Sequence, residues 1–372
     1  MALSGAMSTG ISGMKAQMNA LNVVGNNVAN VNTYGYKPGR VTFRESIYST
    51  EAGGSNGNEV SGGTNPRQTG YGCSISTVDL NMSSMNLEPT GVNGDVAIQG
   101  DGFFMVGPKT EEGTITDPTS LNLSRYGDFE FDANGYLVDG RGNIVYGFVT
   151  CNVVDPNVDP PAKNAQAGIN GNATSTQLVP IRLPLAAEGT GTAGQPGYIA
   201  PGTAVYPGVV ADAGTNTYTG GTVATSDKCI VATNVSIGKD GKISCINDKT
   251  GEVVDVGYIA LASVANPGGL THMSDSYYKA LDGCGDMSIS CAGGALANEY
   301  LNNAVAGDAD ATLENMLGNS KTNLMPGFLE ASGTDLATEF ANMIIYQRGY
   351  QANTRIITVT DTMLEELVNI KR

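Results

Sequence analysis

The sequence predicts a mixed fold: a coiled-coil-like helical domain contributed by the two ends of the chain, and an all-β middle. Three observations carry this reading. Near the start, Met7, Ile11, Met14, Met18 and Leu21 step by 4, 3, 4 and 3, the spacing of a helix–helix seam. Near the end, residues 335–371 run without proline and with one glycine, Gly349. The whole chain of 372 residues carries 50 glycines with no collagen period, which points to many turns and hence many strands.

Taken in order, the first helix is expected over residues 1–33. Its seam continues through Gly25 and Val28, and no proline occurs before Pro38. The helix then enters an asparagine run, Asn22, Asn26, Asn27, Asn30 and Asn32. Asparagine amides compete for backbone hydrogen bonds, so these residues weaken an isolated helix. Gly35 and Pro38 end it. In the middle, residues 127–148 alternate apolar and polar around Asn134-Gly135 and Gly140-Arg141-Gly142, a series of hairpins. Residues 235–246 form another, turning at Asp240-Gly241. Residues 189–221, rich in Gly, Thr, Pro and Ala, are expected to be irregular and exposed. Residues 319–333 read as a linker. In the last helix Leu336, Phe340, Met343, Tyr350, Ile357, Leu364 and Val368 fall on spacings of three, four or seven, with Thr334 or Asp335 as cap. At 1.5 Å per residue this helix is roughly 55 Å long.

Length allows two to three domains, each with its own core. A net charge of −16 argues against nucleic acid or an anionic membrane as partner. No apolar run approaches the roughly 20 residues of a membrane-spanning helix. The first residues lack a signal-peptide pattern, and composition alone points to the cytoplasm. The six cysteines, Cys73, Cys151, Cys229, Cys245, Cys284 and Cys291, make no CxxC and have no histidine nearby, so a zinc site is not expected. Cys284 with Cys291, or Cys229 with Cys245, would bridge in an oxidising compartment.

The remaining motifs carry no chemistry. GTGTAG at 189–194 lacks the following helix that a dinucleotide site needs, because Gln195-Pro196-Gly197 comes next. EFDANG at 130–135 imitates a calcium loop, but Arg141 stands where a bidentate glutamate is required. His272 is the only histidine, and no GxSxG is present. No catalytic residue, metal ligand or cofactor is expected.

Four segments, in order along the chain, resemble the flagellar rod and hook family of axial proteins. They are NVVGNNVANVNTYGYK at 22–37, DVAIQGDGFFMV at 95–106, IALASVANPGGL at 259–270, and LEASGTDLATEFANMIIYQRGYQANTRIITVTDTMLEELVNIKR at 329–372. The resemblance implies a discontinuous α-helical coiled-coil terminal domain with nested all-β inner and outer domains. In that scheme 1–33 is the N-terminal axial helix, 34–71 an extended connecting arm, and 72–150 the first part of the inner domain. The outer domain is 151–255, the second inner part 256–319, the linker 320–334, and the C-terminal axial helix 335–372.

The resemblance further implies a structural subunit of a curved, flexible tube that transmits torque from rod to filament. Its partners would be its own copies in a helical homopolymer, the rod, the hook cap, the hook–filament junction proteins and the type III export apparatus. Export through that apparatus without a cleaved signal replaces the cytoplasmic reading. The polymerisation interface would comprise Met7, Ile11, Met14, Met18, Leu21, Asn26, Asn27, Asn30, Leu336, Phe340, Met343, Tyr350, Ile357, Leu364 and Val368. The asparagines would bond between subunits, and Gly10, Gly13, Gly25 and Gly349 would leave the helices dependent on assembly. Outside the cell, Cys284 with Cys291 is the favoured bridge. The nearest alternative is a distal rod protein; a different class is a secreted carbohydrate-binding or adhesive β protein, which leaves both terminal segments unexplained.

Overall fold

In the computed structural model of the protein the described residues are 2–56, 62–108, 118–151, 173–174, 178–186, 201, 204–205, 229–292 and 322–370. They form two compact units, residues 1–83 with 332–372, and residues 84–331.

The first unit contains both long helices, α1 (Ala2–Ala29) and, at the far end of the chain, α2 (Leu336–Ile370). They run antiparallel: Gly10 faces Ile357, Gly13 faces Asn353, Gly349 faces Gln17, and Asn27 bonds Glu339. The buried face of α1 is Gly10, Gly13, Ala16, Ala20, Val24 and Asn27. A Cβ on Gly13 would stand 2.8 Å from Nδ2 of Asn353, and one on Gly349 3.0 Å from Cδ of Gln17. Small residues therefore set how near the two backbones come.

This corrects the expected seam. Ile11 and Met18 are exposed, and Met7, Met14 and Leu21 are only half-buried. Periodicity locates the apolar stripe, but α2 approaches along the small-residue side beside it, where the backbones can come closest.

The arm is not simply extended. It holds β1 (Gly39–Glu45), β2 (Tyr48–Ala52) and β3 (Arg67–Gly70), followed by β4 (Cys73–Leu80). Strand β1 pairs antiparallel with β4 from Gly39 opposite Leu80 to Glu45 opposite Cys73, and β2 pairs with β3. The residues expected to open the inner domain at 72 thus serve the terminal unit, because their pairing partner is β1.

The second unit begins with β5 (Leu87–Pro89), β6 (Val96–Gln99), β7 (Phe103–Gly107), β8 (Asn122–Ser124), β9 (Phe129–Phe131), β10 (Leu137–Asp139) and β11 (Ile144–Cys151). Four short pieces follow, β12 (Ala173–Thr174), β13 (Val179–Pro180), β14 (Leu185–Ala186) and β15 (Ala204–Val205). Then come β16 (Ala232–Ile237), β17 (Lys242–Asn247), β18 (Val253–Val264), β19 (Thr271–His272), β20 (Tyr277–Lys279) and β21 (Met287–Cys291). The unit closes with β22 (Asn323–Pro326) and β23 (Phe328–Glu330).

The main sheet runs β16-β17-β18-β11-β7-β8-β20-β19. The predicted hairpins are present: Phe131 pairs with Leu137, Val138 with Ile144, and Ile237 with Ile243. The EFDANG segment is a turn, with Oδ1 of Asp132 accepting from the Asn134 and Tyr136 amides. The core includes Ile98, Phe104, Val106, Leu137, Ile181, Ile243, Ile259 and Leu261.

Two further boundaries differ from expectation. The 255/256 border between outer and inner domains falls inside β18, which pairs with β17, β11, β7 and β21 at once. The linker at 320–334 contains β22 and β23, which pair with β6 and β5. Much of the outer domain expected over 151–255, the motif at 189–194 and residues 293–321 lie outside the described residues.

Cys284 and Cys291 are buried free thiols, as is Cys245; Cys73 and Cys229 are free and half-buried. The proposed bridge fails on geometry. Cys291 stands opposite Ala260 at one end of the β18–β21 ladder, which spans about 13 Å, whereas Cys284 accepts from the Asn266 amide beyond its other end; a disulfide needs Cα atoms within about 7 Å.

Candidate assembly surface

The asparagine run does its work where α1 ends. Asn27 is 1% exposed, and its single amide makes four bonds. Nδ2 donates to Gly39 O at 2.8 Å and to Glu339 Oε1 at 3.0 Å. Oδ1 accepts from Gly39 N and from the Tyr36 hydroxyl, both at 3.0 Å. Asn26 donates to the Tyr36 hydroxyl at 3.1 Å, and Asn30 donates back to Asn26 O at 2.9 Å. Gly35 takes φ 70°, which lets the chain reverse toward β1. Lys37 is buried and donates from Nζ to Ser83 O at 2.7 Å. These asparagine bonds lie within the chain, because the elbow folds β1 back onto the helix end.

The start of α2 completes this corner. Asp335 caps it, accepting from Ala337 N at 3.0 Å and from the Thr338 hydroxyl at 2.6 Å. Those donors hold its carboxyl below the ordinary range. Burial pushes the Glu339 carboxyl up; the Asn27 donor pulls it back and the charge of Asp335 adds to the rise. The Tyr36 hydroxyl is also pushed up, by burial and then by the charge of Glu339. Phe43 of β1 meets Tyr346 of α2 with ring centroids 6.0 Å apart.

Outward from this corner both helices present apolar side chains. Of the residues expected at the interface, Ile11, Met18, Asn26, Leu336, Phe340, Tyr350 and Val368 are exposed, and Met7, Met14, Leu21, Asn30, Met343, Ile357 and Leu364 are half-buried. Ile344, Ile345, Ile356, Val359, Met363, Leu367 and Ile370 are also exposed on α2. An apolar surface of this extent marks an interaction site. Sequence reasoning missed the contact residues Gly10, Gly13, Ala16, Ala20, Gln17, Asn353 and Glu339. A signal existed, since Gly10, Gly13, Ala16 and Ala20 recur at helical spacing.

In the second unit, the β5–β23 end is fastened by a buried ion pair. Arg125 and Glu330, with side chains 2% and 1% exposed, approach at 3.5 Å. Glu330 also accepts from Met85 N at 2.8 Å, and Arg125 donates to Gly100 O at 3.0 Å. His272 is exposed and lies edge-on to Tyr278 at 5.2 Å. Among the described residues no group of three or more His, Cys, Asp or Glu is arranged to hold a metal ion, and no helix is long and apolar enough to cross a membrane.

Comparison with known proteins places similarity at both ends and along the length. Residues 325–370 match the family described as flagellar basal body rod FlgEFG protein C-terminal, and residues 7–37 match the flagella basal body rod protein family. The flagellar basal-body rod protein FlgG of Bacillus subtilis is 32% identical over 365 residues, covering 98% of each chain. The flagellar hook protein FlgE of Borreliella burgdorferi is 25% identical over 472 aligned positions, again 98% of each. The flagellar hook protein FlgE of Treponema pallidum is 28% identical over 472 positions, 98% of this chain and 99% of that one.

Proposed function

We propose, from the premise that this chain belongs to the flagellar rod and hook family of axial proteins, that it is the structural subunit of a flagellar hook. Hook proteins aligned with nearly the whole of this chain carry the proposal. The exposed apolar faces of α1 and α2 support self-assembly: in a tube they pack against neighbouring copies as a coiled coil. Each large side chain fully buried in this way contributes roughly 1.5–3 kcal/mol, which offsets the cost of ordering. The role is mechanical, not catalytic. The chain works outside the cell, exported through the type III apparatus without a cleaved signal, and adjoins rod, hook-cap and junction proteins. The expected inner and outer domains remain part of this proposal for residues 84–331.

A second reading, a distal rod subunit, is favoured by the 32% identity to a rod protein. Negative-stain microscopy of the purified chain after precipitant-induced polymerisation separates the two. Curved tubes are the expected result, and straight stiff ones support the rod. Failure to form any tube, with binding on a glycan array instead, overturns both.

A further inference from the structure

One turn of the β unit carries the parts of a reaction with itself. Residues 92–95 lead the chain into β6, with Asp95 N donating to Val92 O at 3.2 Å. At the centre of the turn stands Asn93-Gly94. Asn93 is exposed and lines a cavity of about 710 Å³ whose wall also carries Asp128, Glu130 and Asp132. Neither Asn93 O nor Gly94 N–H has a hydrogen-bond partner among the described residues, and the side-chain amide of Asn93 has none either. The peptide plane between the two residues is therefore free to swing. Gly94 is required by packing, because a Cβ there would overlap Phe129 O. Without a side chain its nitrogen is also the least hindered to a neighbouring group.

A second Asn-Gly pair shows what holds such a plane still. Gly135 is buried, and its N–H donates to Asp132 O at 3.0 Å. Asn134 O accepts from Nε of Arg182 at 3.1 Å and from Sγ of Cys229 at 3.2 Å. The Asn134 side chain donates to Oδ2 of Asp132 at 3.3 Å. The same dipeptide is locked at one place and loose at the other. Asn56-Gly57 and Asn170-Gly171 reach outside the described residues.

We propose that Asn93 is a self-modification site, converted without an enzyme to aspartate and isoaspartate. The deprotonated nitrogen of Gly94 attacks Cγ of Asn93, a group held next to it in the chain. The new N–Cγ bond closes a five-membered succinimide, the Cγ–Nδ2 bond breaks, and ammonia leaves with the proton that Gly94 gave up. Water then opens the ring. Attack at Cγ gives aspartate with the ordinary backbone. Attack at the main-chain carbonyl gives isoaspartate, whose backbone runs through Cβ and Cγ and is one carbon longer. No oxidant or reductant takes part, and water is the only co-reactant. Either product adds a carboxylate to the wall that holds Asp128, Glu130 and Asp132. Isoaspartate also lengthens the turn that sets Asp95 O against Gly327 N at 2.7 Å, and so loosens that bond between the start of β6 and the β22–β23 link. The mark accumulates with the age of each copy and does not depend on the assembly reading.

The experiment incubates the purified full chain at neutral and at alkaline pH, in native buffer and in urea. Peptide mapping by mass spectrometry follows each Asn-Gly site, and backbone fragments distinguish isoaspartate from aspartate. In native buffer, conversion at Asn93 should outrun that at Asn134 by about tenfold or more, rise with pH and yield both products. In urea the two sites should convert at similar rates, since the contacts that lock Asn134 are gone. Asn93→Gln needs a larger ring and should stay unconverted over the same time. Hydrogen exchange at the Gly327 amide should quicken in the converted chain. Equal native rates at Asn93 and Asn134, conversion to aspartate alone, or an Asn93 that reacts only in urea overturns the proposal. Unchanged exchange at Gly327 overturns the loosening of the turn.

Discussion

A single amide, that of Asn27, ties together a helix end, a tyrosine, a strand start and a carboxylate 312 positions away. Asn27→Ala leaves both polar groups of Gly39 without these partners, so it should cost the terminal unit about 2–4 kcal/mol. Circular dichroism at 222 nm should report this as a lower melting temperature, with the β unit unaffected. Glu339 gives a pH signature of unusual sign. Its folded value is raised above the ordinary 4.5, so the folded form holds the proton more tightly. Between those two values the helix pair should gain stability as pH falls. The neighbouring groups do not mask this: Asp335 is shifted down, and Tyr36 and Tyr346 are shifted up from 10.0. The helix melting temperature should therefore rise as pH drops toward 4.5, and Glu339→Gln should remove the slope. In the other unit, Glu330→Ala strands the buried guanidinium of Arg125 and should lower stability by about 3–5 kcal/mol, part of which Arg125→Met should restore, as read by urea denaturation. The sequence marked Asn27 as out of place in a helix, but its partners lie 9, 12 and 312 positions away, and no helical pattern connects them.

At the scale of elements, the helix pair depends on what α1 and α2 lack. Adding a leucine at Gly13 would force side-chain atoms into space held by Asn353 and should separate the helices, at about 1–3 kcal/mol or more. Gly13→Ala is the instructive contrast. Its Cβ would meet only the mobile end of Asn353, and a helix gains about 1 kcal/mol from replacing interior glycine, so the two effects should nearly cancel. Hydrogen exchange along α1 distinguishes the two variants. Both helices were legible because their periodicity is long and proline-free, and the hairpins because their turn residues act locally. Strands β22 and β23 were not. Their three or four residues carry too little alternation to register, and they are defined by pairing with β5 and β6 more than 220 positions earlier.

For the molecule as a whole, the chain divides into a unit made of its ends and a unit made of its middle. A chain truncated after Gly333 loses α2 but retains residues 84–331 intact. It should stay folded, soluble and monomeric at concentrations where the full chain forms tubes, and sedimentation velocity measures this directly. Circular dichroism should show helix content rising as the full chain polymerises. Normal tubes from the truncated chain would contradict the role given to the terminal helices. Limited proteolysis should leave a resistant core within residues 84–331 after the ends are removed. The division of ends from middle was visible in composition and periodicity, whereas membership of β4 in the terminal unit was not, since only its pairing with β1 decides it.

The antiparallel pairing of the first and last helices also governs timing. While the chain is being synthesised, α1 emerges first and waits through the making of the entire β unit, because the residues that cover Gly10 and Gly13 come near the very end. A chain that stops early, or is clipped near its tail, therefore offers a finished β unit and an α1 without its mate. On the proposed assembly, such a product would lack half of the surface by which it joins its neighbours, so incomplete copies should be left out by the architecture itself.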